Sequence, residues 1–199
     1  RERHAAPAAE GENRDAGDVP NDPGWAPDPD PRAKNRVLID RYLPVLADRV
    51  VDALAPAPAA RLHAIGGDCT THAGVMAGLV RVHAARLGRR PRLAVAWFDA
   101  HGDFNTPETT PSGNVWGMPF AMLLGRGDAD LVAACAGPTA READAALLGG
   151  QVLDEQESRM LAASSVSHFG AGMLGGEAGQ AALAAWAGIV GARCDGLYV

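Results

Sequence analysis

Apolar residues recur at helical spacing through RVLIDRYLPVLADRVVDAL, where Val37, Leu38, Tyr42, Val45, Leu46 and Val50 form a stripe with one proline in its path. RLHAIGG (61–67) reads as a short strand ending in a glycine turn. TTHAGVMAGLVRVHAARLG follows as a helix, capped by Thr70 and closed by Gly88. RLAVAWFDA (92–100) is a continuous apolar run, the kind buried on both faces of a parallel sheet. After a long polar loop, a helical patch begins near Met118 and a further helix covers about 128–136. AALLGG (145–150) is another strand, with a helix from about 155. SSVSHFGA (164–171), a helix over 176–190 and a terminal strand in DGLYV finish the alternation. Strands alternating with helices predict a three-layer α/β/α domain built on a parallel sheet.

Residues 1–34 break this rhythm. They are rich in Pro, Asp, Ala and Gly, and PDPDP can neither be helix nor ladder as a central strand. The expected organisation is a disordered or extended arm over 1–34, carrying Trp25, and an α/β domain over 35–199. The chain opens at Arg1 and stops on the apolar DGLYV, so the fold is expected to be incomplete at both ends and to lack its C-terminal part.

Composition narrows the chemistry. Hydrophobic residues make up 47% and charged residues 21%, as in globular domains. A net charge of −6, with Lys34 the only lysine, excludes a broad phosphate-binding surface, so no nucleic acid is expected. The three cysteines, Cys69, Cys135 and Cys194, are widely spaced and suit a reducing compartment more than a disulfide framework. No apolar run reaches the roughly 18 residues of a membrane span. A cytoplasmic protein with no membrane partner is the expectation.

In parallel α/β sheets, ligands bind beyond the carboxyl ends of strands. Asp99, His101 and Asp103 follow the apolar strand there, and alternate residues of an extended chain share one side. Two carboxylates and an imidazole at one point suit Mn²⁺, Zn²⁺ or Fe²⁺. A second strand-to-helix turn, AIGGDCTTH, is expected beside the first in the sheet, directing Asp68 and Cys69 into the same crevice.

GGDxxxxxG followed by DAHGDxNTPETTPSGNxxGMP resembles the ureohydrolase (arginase/agmatinase/formimidoylglutamase) family, most closely its arginase branch, over roughly residues 60–199. The resemblance implies two Mn²⁺ ions at the carboxyl edge of the sheet and attack of a metal-bridging hydroxide on a guanidinium carbon. It assigns Asp99, His101 and Asp103 as three of six metal ligands, with Asp103 also named catalytic. Asn105, Thr110, Ser112 and Asn114 would read a substrate α-carboxylate. Asp154 and Glu157 would hold the α-amino group, although the same pair has capping-box spacing for the next helix. The implied substrate is a small guanidino or formimino amino acid. Family members commonly form trimers or hexamers, so a homo-oligomer is a further expectation.

Three departures stand beside this resemblance. Cys69 occupies the place of the family's first histidine ligand. It reads either as a soft metal ligand or as a small buried residue. Trp116 replaces a proton-shuttling histidine and offers only an N–H donor. The last two family aspartates would follow a strand like GLYV, where the sequence stops. Two functions follow: a metal-dependent hydrolase of a linear C–N bond, or a catalytically degenerate binding or regulatory protein on the same fold.

Overall fold

The computed structural model describes residues 14–20, 30–57 and 60–199. Most of the expected arm, including Trp25, lies outside the described residues. Within 14–20, the Arg14 guanidinium donates to Ala53 O and Arg49 donates to Ala16 O, which lays this piece along the helix that follows. That helix, α1 (Arg36–Leu54), runs through Pro44 unbroken and buries Leu43, Leu46, Ala47, Val50 and Leu54. It packs on α2 (Thr71–Leu87), where Gly74 and Gly78 bring the two helices so close that an added Cβ would sit 2.8 Å from Leu46 and 2.5 Å from Val50.

Strands β1 (Leu93–Asp99), β2 (Ala140–Gly149), β3 (Ser167–Phe169) and β4 (Gly196–Tyr198) form one parallel sheet in the order β3-β2-β1-β4. The period-two alternation of a strand divides its side chains between two cores. Leu93, Val95 and Trp97 of β1, with Ala145 and Leu147 of β2, face Met76 and Val80 of α2, Phe120 and Leu123 of α3 (Pro119–Leu123) and Leu161 of α5 (Glu155–Ala162). Ala94, Ala96, Ala146 and Leu148 face Trp186 and Val190 of α7 (Glu177–Arg193). Two short helices, α4 (Ala129–Ala134) and α6 (Ala171–Leu174), complete the chain. The result is the three-layer α/β/α arrangement with a parallel sheet.

Local expectations fared unevenly. Residues 61–67 form no strand, because β2 and β4 occupy both edges of β1 and the segment finds no backbone partner. Without a ladder it stays exposed, Ile65 at 95%. For the same reason the AIGGDCTTH turn does not sit beside β1 in the sheet. Thr70 does not cap α2 with its side chain; its hydroxyl donates to Asp68 instead. Gly88 does close α2, at φ 67° with its amide on Ala84 O at 2.9 Å. Strand β2 begins at Ala140, earlier than the apolar run suggested. Asp144, in its polar half, is buried by ion pairs with Arg92 and Arg193.

Candidate metal centre

Strand β1 delivers Asp99 to the carboxyl edge and stops. Asp99 Oδ1 accepts the His101 amide at 2.8 Å, which folds the chain into a tight turn, and Asp103 then adopts φ 46°. The backbone is not extended across 99–103, so the three residues do not share one side of a strand. What the turn brings together is Asp99, Asp103 and Cys69, whose candidate ligand atoms all lie within 4.8 Å of one another. Cys69 reaches this point from the start of α2 and its thiol donates to Asp99 Oδ2 at 3.7 Å. His101 lies outside the group, with its side chain 64% exposed and its Nδ1 3.3 Å from Asp99 Oδ1.

The electrostatics of the group are unbalanced. Asp103 is buried and its Oδ2 has no hydrogen-bond partner. Burial pushes its carboxyl up to about 7; the Cys69 thiol works against that shift, and the Asp99 and Glu157 charges work with it. Burial also raises the Cys69 thiol well above its usual range, with the Asp103 and Asp99 carboxylates adding to the effect. A buried carboxylate without a partner costs several kcal/mol in general, unless a cation or proton joins it.

Cys69 also lines an open cleft of about 230 Å³ with Gly66, Gly67, Asp68, His72 and Tyr198. His72 Nδ1 lies 2.6 Å from the Tyr198 hydroxyl and its ring packs edge-on against Trp97, at 4.6 Å between centroids. Burial lowers the His72 pKa, although Asp99 pulls the other way. Tyr198 escaped the sequence reading, since only the pairing of β4 with β1 brings it here.

The loop after β1 forms a second layer. Asn105 is buried, donates Nδ2 to Asp154 Oδ2 at 3.0 Å and accepts from Thr109 Oγ1 at 3.0 Å. Thr110 Oγ1 accepts the Gly113 amide at 3.0 Å, Ser112 Oγ accepts the Asn114 amide at 3.2 Å, and the two hydroxyls lie 3.4 Å apart in a hydrogen bond, which leaves one hydroxyl proton of the pair uncommitted. The Asn114 backbone bridges Lys34. Asp154 precedes α5 and joins Glu157 in a capping box. Glu157 is buried with both oxygens engaged: Oε1 accepts the Phe104 amide at 2.8 Å and Oε2 the Asp154 amide at 3.3 Å. That link between α5 and the loop after β1 was not legible, since the resemblance gave Glu157 a substrate role and its spacing a capping role. Trp116 is 44% exposed in a 3-10 turn (Val115–Gly117), so it is not a core residue.

The orphaned Asp103 oxygen and the clustered donors fit one divalent cation. By themselves these donors are too few and too soft for the pair of Mn²⁺ ions that the resemblance implies. Among the described residues the group offers three donors, one of them a thiol, and no imidazole.

A family model described as the Arginase family matches residues 3–199. Arginase from Bacillus subtilis (strain 168) is 39% identical over 106 residues, which is 53% of this chain and 33% of that protein. The crystal structure of Bacillus subtilis arginase superposes with a TM-score of 0.77 at 28% identity, covering 92% of this chain and 59% of that one. Entamoeba histolytica arginase in complex with L-ornithine gives 0.74 at 27% identity, covering 88% of this chain and 56% of that one. The chain thus spans little more than half the length of these solved arginases.

Proposed function

The chain belongs to the arginase family, and from that premise we propose that the whole protein is a metal-dependent hydrolase of a linear guanidino or formimino C–N bond in an arginine-like amino acid. The observation that carries this reading is the buried, unpartnered Asp103 oxygen beside Asp99 and Cys69, at the strand end where α/β sheets bind ligands. A guanidinium carbon is a poor electrophile, and a divalent ion supplies the remedy by lowering the pKa of a bound water.

The chain's own residues supply recognition. The hydrogen-bonded Thr110 and Ser112 hydroxyls keep one proton between them to donate to a carboxylate, without a cation competing for it. Asn105 holds Asp154 in place through its amide, and Asp154 offers a carboxylate to an ammonium group. These features favour a substrate that retains both α-substituents, and the ornithine complex of the Entamoeba histolytica arginase supports that choice.

The test is urea release from L-arginine, and formamide release from a formimino amino acid, by the full gene product supplied with divalent ions. Asp103→Ala is expected to lower the rate by at least about 100-fold, since even supporting residues of metal sites cost 10–100-fold. A second reading, a binding protein without turnover, rests on Cys69 standing in the site. Arginine-dependent thermal stabilisation with no product release would establish that reading and overturn the first.

A further inference from the structure

The geometry points to a thiolate–carboxylate site for a softer divalent cation, of the Zn²⁺ or Co²⁺ class, with Cys69, Asp99 and Asp103 among its protein ligands. This rests on the metal-dependent reading above and specifies which metal serves it.

Four observations carry the assignment. The donor atoms lie within 4.8 Å of one another. Donors around a tetrahedral zinc are about 3.5 Å apart, given bonds of about 2.0–2.3 Å, so a side-chain shift of about 1 Å closes the group. Asp103, which supplies one of these donors, is 5% exposed and its Oδ2 is buried without any hydrogen-bond partner. Neither nearby imidazole joins them. The His101 side chain is 64% exposed, and His72 is committed to Tyr198 at 2.6 Å. A thiol in place of an imidazole moves the donor set from the hard ligands that suit Mn²⁺ toward those that select Zn²⁺. On binding, the ion takes the sulfur as thiolate and the thiol proton leaves to solvent.

Most sites bind Zn²⁺ more tightly than Mn²⁺, so the preference alone decides nothing. The diagnostic is its dependence on sulfur. Co²⁺ titrated into the full gene product should produce a saturable near-ultraviolet sulfur-to-cobalt charge-transfer band. Cys69→Ser should abolish that band. It should also lower the Zn²⁺/Mn²⁺ affinity ratio, measured by calorimetry, by at least about tenfold, as loss of a direct ligand costs no less than loss of a supporting one. Cys69→His should abolish the band and raise Mn²⁺ affinity. Co²⁺ binding to the unaltered protein without the band, or an unchanged ratio in Cys69→Ser, would overturn the assignment. The two readings fail separately: hydrolysis without the band removes only the thiolate ligand, and the band without hydrolysis removes only the enzymatic reading.

Discussion

At the scale of single residues, the metal loop is held by a contact that no motif announces. Gly102 lies against the Glu157 carboxylate, so an added Cβ would meet Oε1 at 2.6 Å and Leu153 Cδ2 at 2.8 Å. Glu157 cannot swing away cheaply, because its oxygens already accept the Phe104 and Asp154 amides. Gly102→Ala is therefore expected to destabilise the protein by about 1–3 kcal/mol, as overpacking does, which lowers the melting temperature by roughly 3–10 °C. The check is calorimetric melting of Gly102→Ala, Glu157→Ala and the pair. Because the two residues touch, the double variant should lose less than the sum of the singles. Strict additivity would show that the clash is relieved elsewhere.

At the scale of elements, Asp144 joins three pieces. From the middle of β2 it accepts Arg92 Nε at 2.7 Å, just before β1, and pairs with Arg193 Nη2 at 2.6 Å, at the end of α7. Burial alone would raise its carboxyl, but the two guanidinium groups outweigh that and hold it below the usual range. Asp195 is held at about 2 by the Arg89 fork and the Arg92 amide. Carboxyls depressed in the folded state stabilise it above their unfolded values, near 3.9, and lose that contribution as the pH falls toward the folded ones. Stability should thus be flat in these groups above about pH 5 and fall steeply below about pH 4. Asp144→Asn should flatten part of that acid limb in urea titrations, and an unchanged limb would exclude the pair from acid unfolding. Asp144→Ala should cost about 3 kcal/mol, at the low end for a broken buried pair because both arginines reach water. The same residue shows what the sequence hides. LAVAW (93–97) was legible as a buried strand because every side chain is apolar, whereas Asp144 in the polar half of β2 is buried by arginines distant in sequence. RLHAIGG had a strand-like composition, but a strand exists only through a partner, and composition does not specify one. Asp99 and Asp103 were legible as candidate ligands from the motif. The displacement of His101 came from a turn hydrogen bond that alternation along an extended chain does not anticipate.

Across the whole molecule, the sheet is secured unevenly. β1 is paired on both sides over Leu93–Val95, and its side chains fill two cores. β4 is paired to β1 through three residues, and among the described residues nothing pairs with its other edge. Phe98, Leu197 and Val199 are exposed at this side, as is Ile65 in the unpaired segment before α2. No helix among the described residues is long and apolar enough to cross a membrane. Local opening follows such differences in pairing and burial. In hydrogen exchange on the 199-residue chain, the amides of β1 should be the slowest and those of 196–198 should exchange near the rate of an open segment. That difference bears on the metal site, because Tyr198 packs on His72 next to Cys69. A fraying β4 loosens one wall of the cleft, so substitutions that lower β4 protection should also lower metal affinity. If 196–198 is instead as protected as β1 in the 199-residue chain, its free edge is covered in solution, and sedimentation of the same sample will show whether a second copy covers it.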